Sequence, residues 1–268
     1  MARAGYPAAP GIKPRYVHPV LEATLWGFVG GAALIVGAVA GLLADVPRRV
    51  IGLVMAFGAG VLVSALAFDM TAEALRSGGF DVTAVGLLAG SVVFWLADRW
   101  LAGRGGANRK RSARAEGAED DEASVGLVLG AVLDGIPESV VIGISLLGGS
   151  GSTGVGVAVL VAVFLSNVPE SMSAATGMKA RRSVRWILGL WTLVAVVSAL
   201  SAGLGYLALG TASPDVVAGI RAFAAGAILT MLVDTMIPEA YEAEQRSKAT
   251  GVVTTAGFAL AVFLSTLA

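Results

Sequence analysis

Long apolar runs alternate with short polar breaks along the whole chain. A membrane-spanning helix needs about 20 mostly apolar residues. Eight runs meet that requirement, over residues 20–43, 50–75, 81–101, 124–148, 153–178, 184–209, 215–240 and 250–267. The breaks are ADVPRR, RSGGFD, the stretch 102–123, GGSGST, KARRS, GTASPD and EAEQRSKAT. The runs are too long for barrel strands and do not alternate with period two, so helices are predicted to do the spanning. The expected fold is all-α, a polytopic membrane helix bundle. Its expected parts are a tail over 1–19, helices 1–3 over 20–101, a loop over 102–123, helices 4–5 over 124–178 and helices 6–8 over 179–268.

Composition strengthens this reading. Mean hydropathy is +0.80 and only 14% of residues are charged, against about 25% in a soluble domain. Glycine, at 36 of 268 residues, suits membrane helices, whose backbones approach closely through small residues. Cysteine is absent and the single histidine, His18, precedes the first apolar run. That excludes disulfides, thiolate metal sites and an intramembrane imidazole. Residues 1–19 lack the short apolar core and cleavage site of a secretory signal, so no processing is expected. Net charge is zero and does not point to a partner; no nucleic-acid partner is expected.

The basic residues set an orientation. Of the 19 Lys and Arg, 14 fall on the odd-to-even connections, among them Arg48, Arg49, Arg99, Lys179, Arg181, Arg182 and Arg185. The positive-inside rule places these in the cytoplasm and both termini outside. The bilayer is the expected surroundings, and a bacterial inner membrane is the expected location.

Two segments repeat. AFGAGVLVSALAFDMTAEA from Ala56 aligns without a gap on AFAAGAILTMLVDTMIPEA from Ala222, at an offset of 166. The helices that carry them would run in opposite directions, which is the mark of an inverted repeat. A second pair, LDGIPES from Leu133 and LSNVPES from Leu165, aligns at an offset of 32.

The second pair carries the candidate chemistry. Asp134 and Glu138 are four residues apart and share a helix face, as do Ser166 and Glu170, with Asn167 beside them. Three carboxylates at mid-membrane cost on the order of 8 kcal/mol on the insertion scale. No Lys or Arg is expected at matching depth, so a bound cation or a proton must compensate. A protonated, hydrogen-bonded cluster that only ties helices together is the alternative. Pro137 and Pro169 cannot donate to the carbonyls of Leu133 and Leu165, which adds oxygen acceptors nearby. Carboxylate, amide and carbonyl oxygens suit Mg, Ca or Mn and can serve Zn or Fe. Asp69 and Glu73 near one end of helix 2, and Asp234 and Glu239 near the opposite end of helix 7, are pathway candidates. The acids of the long loop, Glu116, Glu119, Asp120, Asp121 and Glu122, read as part of a solvated linker.

The chain resembles the ZIP family of divalent metal transporters. The similarity rests on the eight-helix plan with a 3+2+3 division, the long loop after helix 3 and the proline–glutamate motifs of helices 4 and 5. It covers nearly everything from Val20 onward. It implies a metal site at Asp134, Glu138, Asn167, Glu170 and Ser166, with Ser171 as a helper, and zinc, manganese or iron as the transported substrate. No tightly bound cofactor is implied, and a homodimer is the candidate assembly. The departures are specific. Asp134 stands where the family has histidine, Gly135 where it has asparagine, and Ser139 and Ser171 where it has glycine. Helix 6 lacks the carboxylate of a second metal site, which favours one site over two. A second reading is a ZIP-like protein that binds or senses metal without carrying it. An enzyme is not expected, because no His/Cys constellation or nucleophile–base pair is present.

Overall fold

A computed structural model describes residues 19–44, 46–102, 120–148, 153–243 and 249–267, with side chains described outside 120–128, 148, 153–158 and 267. The tail ahead of Pro19 and loop residues 103–119, including Glu116 and Glu119, lie outside the described residues. The described residues contain helices and no strand. They are α1 Pro19–Leu43, α2 Arg48–Ser64, α3 Ala72–Ala102, α4 Asp120–Ser145, α5 Thr153–Met178, α6 Val184–Leu209, α7 Pro214–Met231, α8 Ile237–Ala243 and α9 Ala249–Leu267. A π-helical segment, Ala65–Thr71, joins α2 to α3, and another, Leu232–Met236, joins α7 to α8. Two starts are capped by serine: Ser183 Oγ accepts from the Trp186 amide at 3.3 Å and Ser213 Oγ from the Val216 amide at 3.4 Å. Each satisfies a donor that the first helical turn leaves open.

Six stretches among the described residues are long and apolar enough to cross a membrane. One of them, Arg48–Ala102, is 55 residues long, roughly twice what a bilayer needs. Gly79 breaks it, with φ 73° and ψ −179°, a backbone region open essentially to glycine alone. The packing shows a reversal there. Glu73 meets Arg221, and Gly58 meets Met236, so the part of the stretch before Gly79 runs antiparallel to α7 and α8. Beyond Gly79, Gly86 meets Ala222, Gly90 meets Phe223, and Ser91 accepts from Thr230, so α3 runs parallel to α7. The 55-residue stretch is therefore two antiparallel passes folded at a glycine.

The repeat read from the sequence is visible in the backbone. Ala65–Thr71 and Leu232–Met236 are π-helical at aligned positions. Gly60 of α2 lies against the Thr254 carbonyl of α9, and its counterpart Gly226 of α7 lies against the Leu87 carbonyl of α3. Gly257 of α9 abuts the Phe57 carbonyl, and Gly90 of α3 abuts the Phe223 carbonyl, the aligned residue. The α2–α9 and α3–α7 seams are thus two versions of one contact, each with glycine where the other helix presents backbone.

The remaining helices pack together. α1 lies against α6, with Gly27 and Gly31 facing Ser198 and Ala195. α5 packs on α1 through Gly37, which faces the Val168 carbonyl and Ser171 Oγ, and through Gly41, which faces the Met172 carbonyl. α4 packs on α6 through Gly143, which faces the Ala202 carbonyl. Direct contact between α4 and α5 is sparse. The bundle consists of α1, α4, α5 and α6 on one side and α2, α3, α7 and α9 on the other. Large apolar side chains such as Leu88, Leu204, Leu207 and Phe263 point outward, while Asp134, Glu138, Ser166 and Asn167 are buried. Apolar outside and polar inside is the arrangement required where lipid is the solvent.

Candidate metal site

α4 and α5 each carry an internal proline, Pro137 and Pro169. Both helices continue through it, and neighbouring hydroxyls re-use the local carbonyls. Ser139 Oγ donates to the Gly135 carbonyl at 2.6 Å, and Ser171 Oγ donates to the Asn167 carbonyl at 2.8 Å. These bonds are equivalent under the 32-residue offset. The serine that follows each glutamate therefore has its proton committed to its own helix. Ser166 Oγ likewise donates to the Val163 carbonyl at 2.9 Å.

The candidate ligands differ in burial. Asp134 is 3% exposed and Glu138 2%, while Ser166 and Asn167 are also buried. Glu170 is only partly buried. Asn167 Nδ2 donates to the Gly30 carbonyl of α1 at 3.3 Å, which fixes the amide between α5 and α1. The Leu165 carbonyl, released by Pro169, faces Gly58 of α2. Glu138 is the one polar residue lining a narrow, otherwise apolar space with room for about one water molecule. Leu66 and Met70 from the α2 side, Val141 of α4, Val159 of α5 and Ile228 of α7 are among its other walls. This space lies at the seam between the two halves of the bundle.

No three acidic or histidine side chains among the described residues stand close enough to hold a metal ion between them. α4 is held by α6 and α5 by α1, with little direct contact between them.

The four pathway candidates fall in different settings. Glu73 is paired with Arg76 at 3.0 Å and with Arg221 at 3.7 Å. Arg221 lies within α7 rather than in a connection, and only 11% of its side chain is exposed. Glu239 Oε1 accepts from Ser173 Oγ at 2.7 Å, which links α8 to α5. Asp69 is partly buried in the first π-helical segment. Asp234 is exposed in the second, aligned with Phe68. Phe68 packs on Phe258 of α9, with ring centroids 5.9 Å apart. Sequence reasoning had missed Arg221 and Ser173. Arg221 is a basic residue seven positions inside the apolar helix, and that isolation was the available signal. Ser173 carried none.

No protein-family model matches the chain. Over 236 residues, 88% of its length, it is 24% identical to an Arabidopsis thaliana protein described as a "putative zinc transporter". Those residues cover 37% of that relative, so the chain spans well under half of its length. With its spanning helices, the chain is an integral membrane protein similar in sequence to that plant protein.

Proposed function

We propose that this protein carries divalent cations across the membrane toward the cytoplasm: zinc, or harder ions such as manganese or iron. The observation that carries this reading is the burial of Asp134 and Glu138 on one face of a mid-membrane helix, with Glu138 on an internal cavity. Burying two carboxylates at that depth is costly, and a cation substrate offsets that cost when it arrives. The similarity to a protein described as a zinc transporter supports the same reading.

In this proposal Asp134, Glu138, Asn167, Glu170 and Ser166 bind the ion. The bond from Asn167 Nδ2 to Gly30 turns Oδ1 into the atom that meets a cation. The chain has eight spans in a 3+2+3 inverted repeat, both termini outside, and a bacterial inner membrane around it. A homodimer is the proposed assembly. Transport proceeds by alternating access, as inverted repeats permit. The moving unit is α4 and α5 together with α1 and α6, on which they are packed. Movement of that unit along α2 and α7 would carry Glu138 from one end of the seam to the other. Carboxylates on two separately held helices would close around the ion on binding and reopen to release it, because too tight a site would trap it.

Purified protein in liposomes tests this. Uptake of Zn, Mn or Fe is expected, with Glu138→Ala and Glu170→Ala each lowering it at least tenfold. Absence of flux for every divalent ion tried, or full flux in both variants, would overturn the proposal.

A further inference from the structure

The two π-helical segments occupy aligned places in the repeat. Residues 66–70 of the first fall on 232–236 of the second, at the offset of 166. Each ends on a bond that reaches five residues back. The Ala72 amide donates to the Ala67 carbonyl, and the Ile237 amide donates to the Leu232 carbonyl. A π turn holds one residue more than an α turn, and such turns are frequent at functional sites. One alone is a local accommodation. Two at equivalent positions, running in opposite directions, belong to the plan of the repeat.

Both segments aim the same residue at the candidate site. Met70 and Met236 are aligned, and each is 3% exposed. Met70 lines the Glu138 space, together with Ala65 and Leu66 of its own segment. Met236 faces α5 instead. Its Cε lies 3.2 Å from the point where a methyl group on Gly58 would sit, and the Leu165 carbonyl and Ser166 Cα lie 3.2 and 3.1 Å from that point. One methionine therefore stands against α4 at Glu138, and its counterpart stands against α5 at Ser166. On the outer face of the two segments, Ala67 and Val233 are also aligned, and both are exposed.

A π turn can step along a helix. Each step exchanges a five-residue bond for a four-residue bond at one end and does the reverse at the other, so no bond is lost. Only the side chains that the turn passes are re-aimed, by about 100°, the angle of one residue in an α-helix. The flanking helices keep their packing.

We propose that the two segments are matched register switches. Movement of the π turn swings Met70 off the Glu138 space, or Met236 off Ser166, while the rest of α2, α3 and α7 stays in place. The seam between the two halves is thereby loosened at α4 or at α5, without disturbing the glycine contacts that hold the α2–α9 and α3–α7 pairs. The consequence for flux rests on the transport reading above; the switching itself does not.

Methionine methyl groups report the switch directly. The full chain, carrying carbon-13 at its methionine methyls, is placed in lipid nanodiscs and measured by NMR relaxation dispersion, which covers the microsecond-to-millisecond range of helix register shifts. Exchange is expected at Met70 and Met236 and not at Met55 and Met231, which are buried in the α-helical parts of α2 and α7. Deletion of Ala67 is expected to return the first segment to α-helix and to abolish exchange at Met70 alone. Deletion of Val233 is expected to do the same at Met236 alone. Absence of exchange at Met70 and Met236 in the parent would overturn the proposal. Exchange at all four methionines would also overturn it, because motion of whole helices would then be the source; this arm stands even where a deletion protein does not fold. In liposomes each folded deletion protein is expected to take up Zn or Mn at least tenfold more slowly than the parent. Full uptake with exchange abolished would sink the link to flux. Absence of uptake in the parent, with exchange as expected, would count against transport and not against the switch.

Discussion

Asp134 is the residue whose side chain most affects which ion the site would take. It is a buried carboxylate four residues before Glu138, where the resembling family has histidine. Oxygen-only donor sets favour hard cations, and imidazole suits zinc. Asp134→His is therefore expected to raise the preference for Zn over Mn severalfold, measured by competitive uptake in liposomes; an unchanged ratio would place Asp134 outside the binding set. Ser139 and Ser171 lead to a different expectation. Their hydroxyl protons go to the Gly135 and Asn167 carbonyls, so alanine at either position removes a local hydrogen bond, about 1 kcal/mol. Uptake affinity in Ser139→Ala and Ser171→Ala should stay within about threefold of the parent, which a KM comparison checks. The candidacy of these residues was legible because carboxylates in apolar runs stand out. What each oxygen touches was not, since it depends on neighbours far away in sequence. Asn167 and Gly30, 137 positions apart, are an instance.

Among the elements, glycine decides how closely helices approach. Gly60, Gly90, Gly226 and Gly257 each face a backbone carbonyl of the partner helix, so a methyl group there must push two helices apart. Forced overpacking costs about 1–3 kcal/mol. Gly90→Ala and Gly226→Ala are expected to lower the thermal midpoint in detergent by similar amounts, because they occupy opposite sides of one seam. Gly251, whose Cβ position meets nothing within 4 Å, should tolerate alanine. Gly79→Ala has no packing cost, yet it forces a side chain into a glycine-only backbone region, at about 1–3 kcal/mol. A Gly79→Ala protein with an undiminished midpoint would show that the reversal relaxes without strain. The apolar runs announced the spans: α5 and α6 lie where the pattern placed them. The pattern also separated the two passes on either side of RSGGFD, although helix continues up to Gly79 and resumes after it. The π-helical segments were not legible, because a π turn reflects one residue accommodated in the packing rather than a residue type.

For the whole molecule, charge sits where the two halves meet, and this fixes the sign of a pH effect. Protons and metal ions compete for the same carboxylates. If Asp134, Glu138 and Glu170 bind the transported ion, uptake falls as pH is lowered into the carboxylate range, seen as a rising KM in liposomes with equal pH on both sides. Uptake that increased with acid would contradict a carboxylate site. The sequence alone determined that the chain is helical and membrane-embedded, that α2 and α7 repeat one another, and which carboxylates lie within the apolar runs. Hydropathy, period and identity are local properties, so they can be read along one strand of text. Only the tertiary structure decided that α4 belongs with α6 and α5 with α1, and that Arg221 reaches from one repeat to Glu73 in the other. Those facts depend on which helix faces meet, and the meeting is set by where glycine lets one backbone touch another.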